Sequence, residues 1–237
     1  MEWEQLLTDS RLGEKSQPKQ RLQDGRSEFQ KDFDRIVFSP AFRRLQDKTQ
    51  VFPLPENDFV HTRLTHSLEV SCVGRSLGNL AGETVIKRNH ALNNRFTKFH
   101  FGEIVAAACL SHDIGNPPFG HSGEDAIAEY FRSGNGQKFK PKIKDEKKWT
   151  DLIKYEGNAQ GFRIITKLQN PRVKGGLSLT HSTLAAVTKY PRESLINTQS
   201  KSLQSKAYRK YGFFQAEKEL FKVVAEATGL DCIKSEK

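Results

Sequence analysis

Apolar positions recur along this chain at helical spacing. His66, Val70, Val73, Leu77 and Leu80 are separated by steps of 4, 3, 4 and 3. That rhythm predicts one face of a helix over about 64–85, with His66 on the buried stripe. A second helix is predicted over about 102–113, where Val105, Ala108, Cys109 and His112 share an apolar face and Gly115 ends the run. The following "GNPPFG" cannot continue it, because Pro117 and Pro118 lack a backbone donor and fix φ. Further helical patterns cover about 121–132, 156–169, 181–189 and 213–228, the last three stopped by Asn170-Pro171, Pro191 and Gly229. In the last of them Phe213, Phe214, Leu220, Phe221 and Val224 form the apolar stripe. No alternating strand pattern and no internal repeat is found, so the expected fold is all-α. Residues 9–31 are polar and read as a poorly packed arm, and 87–101 read as a loop or irregular insertion.

Composition narrows the class. A chain of 237 residues has ample length for a core, as one large domain or two small ones. Mean hydropathy is −0.65, and no apolar run approaches the ~20 residues that span a bilayer. The N-terminus carries acids early and has no apolar signal region, so cytoplasm is the expected compartment. Three cysteines without paired spacing argue against a disulfide framework or a zinc ribbon, and Cys72 and Cys109 read as small core residues. Net charge is 38 − 28 = +10. Such an excess suits an anionic partner, nucleotide or nucleic acid, or serves solubility alone. Part of it is local: "KFKPKIKDEKK" (138–148) holds six lysines and reads as a solvated loop.

Candidate chemistry gathers in "LSHDIGNPPFGHSGE" (110–124). Adjacent helical side chains diverge by about 100°, so His112 and Asp113 reach one ion together only near a helix end, where Gly115 puts them. A His-Asp pair alone is more often a satisfied core histidine than a ligand pair. His66, 46 residues upstream on another helix, changes that balance. Two imidazoles and a carboxylate make a mixed N/O site for Mn, Mg, Fe, Co or Zn. His121 and Glu124, three apart, can share a helix face beyond the turn. A carboxylate that holds an imidazole suits it to proton transfer, whereas the alternative for the pair is helix capping.

Five blocks in order, "HTRLTHSLEV", "SHDIGNPPFGHSGE", "EGNAQGFRIITKL", "KYPRE" and "KYGFFQAEK", resemble the deoxyguanosine triphosphate triphosphohydrolase family of the HD-domain metal phosphohydrolases. The resemblance spans about residues 30–221. It implies an HD-domain helical bundle over 31–237 behind an N-terminal arm at 1–30. It also implies a divalent metal cofactor and cleavage of a deoxynucleoside triphosphate, dGTP above all, to deoxynucleoside and intact triphosphate. Carried over by position, it makes His66, His112 and Asp113 metal ligands and His121 with Glu124 the catalytic pair. Gln50 in "RLQDKTQ" falls at the sugar 3′-hydroxyl, Lys189, Tyr190 and Lys210 at phosphate and sugar, and Arg63 is a further substrate contact. Without those blocks the two lysines would read as ordinary helix-end residues, and Asn158 of "EGNAQG" fits either substrate contact or helix capping. A homo-oligomer is expected, with single-stranded DNA as a possible second partner.

One part of the family pattern is missing. HD enzymes complete their site with an aspartate from a later helix, and after Asp151 the only aspartate is Asp231, in surroundings that do not match. The expectation is that the protein continues past Lys237, where a further helix supplies that ligand and packs on the Phe213–Val224 stripe. Two other functions fit the same residues: an HD phosphodiesterase or nuclease, and a non-catalytic nucleotide- or DNA-binding module.

Overall fold

The computed structural model describes residues 2–14, 25–48, 50, 61–195 and 210–230. Among them the fold is all-α. Ten α-helices follow in order: α1 Trp3–Leu6, α2 Glu28–Val37, α3 Pro40–Arg43, α4 Arg63–Arg88, α5 Lys98–Ser111, α6 His121–Arg132, α7 Glu146–Ile153, α8 Gly157–Arg163, α9 His181–Val187 and α10 Lys218–Thr228. Short 3₁₀ turns and one π turn, Ile164–Leu168, join them. Extended pairing among the described residues is limited to an isolated antiparallel bridge between Arg11 and Thr180.

Helix α5 is the axis of the bundle. Phe101, Gly102, Ile104, Ala106, Ala107, Leu110 and Ser111 are buried along it, the pattern of a helix enclosed on all sides. It packs against α4, α2 and α9. Below its C-terminal half the main core joins Ile36, Phe42, Leu45, Leu110, Ile114, Phe162, Leu184 and Val224. Phe213 stacks on Phe221 with ring centroids 4.3 Å apart, as the stripe over 213–228 predicts. Gly229, in the left-handed region at φ 69°, ends α10.

Helix α4 forms where expected, but its stripe is inverted. Val73, Leu77 and Leu80 are 60–64% exposed. The buried face is Ser67, Ser71, Gly74, Gly78 and Gly82. With no side chain in the way, the α4 backbone lies directly on α5: a Cβ at Gly74 would sit 2.6 Å from Cys109 Sγ, and one at Gly78 would sit 2.9 Å from Gly102 Cα. The small residues bury the partner's side chains instead of their own, a face that leaves no apolar signal in the sequence. Cys109 lies in that contact, half-buried, whereas Cys72 is exposed and not the core residue expected.

The described ends of the expected N-terminal arm are packed, not loose. Leu7, Arg11 and Leu12 are buried, and Trp3 meets Phe101 at 5.9 Å. Arg11 donates to Asp32 at 2.6 Å and to Glu28 at 2.8 Å, both on α2. Two other expected loops contain helix. Segment 87–101 holds a 3₁₀ turn, His90–Asn94, and the first residues of α5. The lysine run 138–148 spans a 3₁₀ segment, Asn135–Lys142, and the start of α7, which Asp145 caps by accepting from the Lys147 and Lys148 N–H groups. Residues 15–24 of the arm, Asp231 and Cys232 lie outside the described residues. No helix among the described residues is long and apolar enough to cross a membrane.

Candidate active site

Three segments converge at the C-terminal end of α5. Thr62 caps α4 by accepting from the Thr65 N–H, which fixes the first turn that carries Arg63 and His66. Helix α5 ends at Ser111 with His112 as its C-cap, so His112 and Asp113 sit where the backbone leaves the helix. The turn 112–120 then reverses the chain into α6. Phe119 and Gly120 both have positive φ, 65° and 56°. A non-glycine residue there costs roughly 1 kcal/mol, a strain typical of sites where shape matters.

His66, His112 and Asp113 present ligand atoms that all lie within 4.8 Å of one another, and the two imidazole centroids are 5.3 Å apart. The donor set fits a divalent ion. His112 Nδ1 lies 2.7 Å from the Cys109 carbonyl. A carbonyl only accepts, so Nδ1 holds a proton, and Nε2 is the nitrogen turned to Asp113 Oδ1, 3.3 Å away. Asp113 is buried and doubly held: Asn116 Nδ2 donates to Oδ1 at 2.6 Å and Arg63 Nη1 donates to Oδ2 at 2.8 Å. A carboxylate has about four lone-pair sites, so two remain.

The second element stands just across the turn. His121, first residue of α6, lies with Nδ1 2.8 Å from Glu124 Oε2. The imidazole side chain is 80% exposed while Glu124 is 10% exposed. Glu124 Oε1 accepts the Gly157 N–H at 2.8 Å, so the carboxylate is anchored to α8 while its other oxygen orients the imidazole. Glu124 does not cap α6. Burial, and after it the proximity of Glu124, pushes the Tyr155 phenol up to about 12.

The remaining expected residues divide. Arg63 joins the ligand cluster directly, through Asp113. Gln50 donates its N–H to the His61 carbonyl at 3.3 Å, and its Oε1 is buried with no hydrogen-bond partner among the described residues. Lys210 pairs with Glu156 at 3.4 Å, beside the start of α8. Lys189 is exposed and lies over the Tyr190 ring at 5.5 Å. The Lys189–Tyr190 segment runs against the one that follows Lys210, since a Cβ on Gly212 would strike the Tyr190 carbonyl. No contact joins Lys189, Tyr190 or Lys210 to the three-ligand cluster among the described residues. Asn158 donates to Glu156 Oε1 at 2.6 Å, and Glu156 in turn caps α8.

Several neighbours of the site have no counterpart in the sequence reading. Asn116 stands within the quoted "GNPP" but gives no sign of gripping Asp113. Lys48 donates to the Asn116 carbonyl at 2.8 Å. Burial first, then repulsion from Arg63, lowers its pKa. Gly157 admits Asn116 and Glu124 so closely that a Cβ would lie 2.6 Å from Glu124 Oε1. The double glycine of "EGNAQG" is the one sequence signal for that approach.

The HD-domain profile matches residues 63–186, the stretch from the first residue of α4 to the end of α9. Among curated proteins, the chain is 53% identical over 232 residues to a deoxyguanosinetriphosphate triphosphohydrolase-like protein of Synechocystis, covering 97% of this chain and 52% of that one. It is 45% identical over 237 residues to the protein so named in Pseudomonas aeruginosa, covering 100% and 51%. A Listeria monocytogenes protein of the same name is 45% identical over 236 residues, covering 96% and 50%. The chain thus spans about half the length of the curated relatives it matches.

Proposed function

This chain belongs to the HD-domain family, among the deoxyguanosinetriphosphate triphosphohydrolase-like proteins, and from that premise we propose that it hydrolyses deoxynucleoside triphosphates, dGTP included, to deoxynucleoside and inorganic triphosphate. One observation carries the proposal: a three-ligand cluster and a carboxylate-held imidazole stand on the two sides of a single turn.

His66, His112 and Asp113 hold the divalent ion, which when bound supplies Lewis-acid polarisation of a phosphoryl oxygen. Asn116 and Arg63 keep the Asp113 carboxylate aimed inward. Glu124 holds the proton on His121 Nδ1, so the exposed Nε2 is the basic atom that takes or returns a proton at the reacting centre. Glu124 also stabilises the imidazolium once it forms. Anchored by the Gly157 N–H, it loses no freedom at that moment.

A triphosphate carries about four negative charges near neutral pH, and charge-assisted hydrogen bonds are the strong ones. Lys189, Tyr190 and Lys210 bind phosphate and sugar, with Lys210 exchanging Glu156 for the ligand. Arg63 adds a cation beside Asp113. Gln50 accepts the sugar 3′-hydroxyl; its Oε1 has no hydrogen-bond donor among the described residues, which leaves that acceptor uncommitted.

The test is product analysis. The full-length protein is incubated with each of the four deoxynucleoside triphosphates and Mn²⁺, and the products are resolved. Deoxynucleoside plus inorganic triphosphate is expected. Release of monophosphate would point to the phosphodiesterase, and tight binding without turnover to the non-catalytic module. His121→Ala should retain metal and nucleotide while losing roughly 10²–10⁴ in rate. Unchanged turnover in that variant would make the histidine structural.

A further inference from the structure

Asp113 belongs to a closed circuit of hydrogen bonds. Arg63 Nη1 donates to its Oδ2 at 2.8 Å, and Asn116 Nδ2 donates to its Oδ1 at 2.6 Å. Lys48 Nζ donates to the Asn116 carbonyl at 2.8 Å. The Lys48 carbonyl accepts the Arg63 N–H at 3.0 Å, which closes the ring. Four residues from three segments are joined: the stretch before Gln50, the first turn of α4, and the turn 112–120. On its other side the same turn rests on α8, since Gly115 abuts the Gly157 carbonyl and Gly161.

Backbone hydrogen bonds within the turn are local, Ile114 to Ser111, Asn116 to Asp113 and Gly120 to Pro117. They shape it but do not fix it against α4, which carries His66. Among the described residues, Lys48 is the side chain that ties the middle of the turn to the segment leading into α4. Its half-buried ammonium is set against a carbonyl, not a carboxylate. That is a positional contact more than an ion pair.

We propose that Lys48 is a positioning residue: through the Asn116 carbonyl it holds the turn in the register at which Asp113 faces His66 and His121 meets Glu124. A positioning role differs from a phosphate contact in what it changes. It acts before nucleotide binds, and it acts on both halves of the site.

The experiment compares wild type, Lys48→Met, Lys48→Arg and Asn116→Ala in the full-length protein. In nucleotide-free, metal-free protein, amide hydrogen exchange across 112–120 should quicken in Lys48→Met and stay near wild type in Lys48→Arg, which keeps a donor. Calorimetric Mn²⁺ affinity should fall about tenfold or more in Asn116→Ala, the usual loss when a group orienting a ligand is removed. It should fall in the same direction, by a smaller factor, in Lys48→Met. Combined in one protein, the two losses should not add, because both open the same ring. The kinetic arm rests on the hydrolase function proposed above: kcat falls in Lys48→Met while KM stays within about twofold. Unchanged exchange and Mn²⁺ affinity in Lys48→Met would overturn the proposal. So would a raised KM with exchange unaltered, which would make Lys48 a phosphate contact. If Lys48→Met does not fold, Asn116→Ala breaks the ring from the other side and must show the same local exchange. A wild type without turnover would defeat the hydrolase function and leave the exchange and metal arms to decide Lys48.

Discussion

Gly157→Ala perturbs a point that touches both halves of the site, through Asn116 and Glu124. A Cβ there would press on Asn116 Oδ1 and lie 2.6 Å from Glu124 Oε1, against the 3.5–4.0 Å of an ordinary contact. Neither neighbour can swing aside freely. Glu124 is buried and accepts the Gly157 N–H at 2.8 Å, and the Asn116 amide is committed to Asp113. Overpacking of this kind costs about 1–3 kcal/mol. Alanine recovers about 0.5–1 kcal/mol over glycine in helical backbone, and Gly157, the first residue of α8, is not among the positive-φ residues. The net expectation is a loss of up to about 2.5 kcal/mol, read by urea unfolding near neutral pH. Displacing Glu124 also frees the His121 ring, so kcat should fall by up to ~10² at saturating metal. A variant as stable as wild type, or more stable, with undiminished kcat would refute the close approach and the coupling drawn from it.

Two further outcomes are expected. Alanine at His66, His112 or Asp113 should abolish stoichiometric divalent metal and lower turnover at least ~10²-fold; full metal occupancy in all three variants would sink the ligand assignment. His181, buried with Nδ1 2.9 Å from Ser10 Oγ, should give a measurable acid dependence. Burial holds its pKa below the ordinary value, with the Ser10 backbone hydrogen bond opposing. The unfolded chain therefore takes up the proton first on acidification. Stability is full above about pH 6.5 and falls below it, by up to ~1.4 kcal/mol per unit, until the folded-state pKa is reached. His181→Gln should flatten the stability curve just below about pH 6.5, and identical slopes in variant and wild type would remove His181 as the cause.

The parts of this molecule that were legible in the sequence are those whose chemistry is local. Helix α6 begins at His121 and ends at Arg132, the bounds expected of it: the prolines end the preceding helix, and Phe119 and Gly120 at positive φ delay the next one to His121. Helix α10 ends at Gly229 as expected but begins at Lys218, not at 213: Phe213 and Phe214 precede it and pack from outside the helix. The grouping of His66, His112 and Asp113, and the contact of His121 with Glu124, were expected from the family blocks more than from spacing, since each pair alone also reads as a core histidine or a helix cap. Helix α2 was not among the expected helices: the expected arm over 9–31 covers its start, and Asp32, Asp34 and Arg35 keep the rest polar. Yet Asp32 is buried on Arg11 and Thr180, and only three-dimensional pairing shows that. Lys48 and Asn116 escaped for a related reason. Their bond links a side chain to a backbone carbonyl 68 residues away, and every residue has a carbonyl.

The inverted face of α4 has a consequence for coordination chemistry. His66 rides on α4, whereas His112 and Asp113 ride on the end of α5, so the gap between these helices sets the bite of the three ligands. Bonds from nitrogen and oxygen to a catalytic divalent ion such as zinc are about 2.0–2.2 Å, and a working site holds them to about ±0.2 Å. A methyl group on Gly74 would meet Cys109 Sγ at 2.6 Å, and relieving it by parting the helices would take about 1 Å, several times that tolerance. Gly74, Gly78 and Gly82 touch no ion and no substrate, yet they act as the gauge to which the cage is cut. Selection for a metal of a given radius would be felt at these three positions, about two to four turns beyond the last ligand on α4.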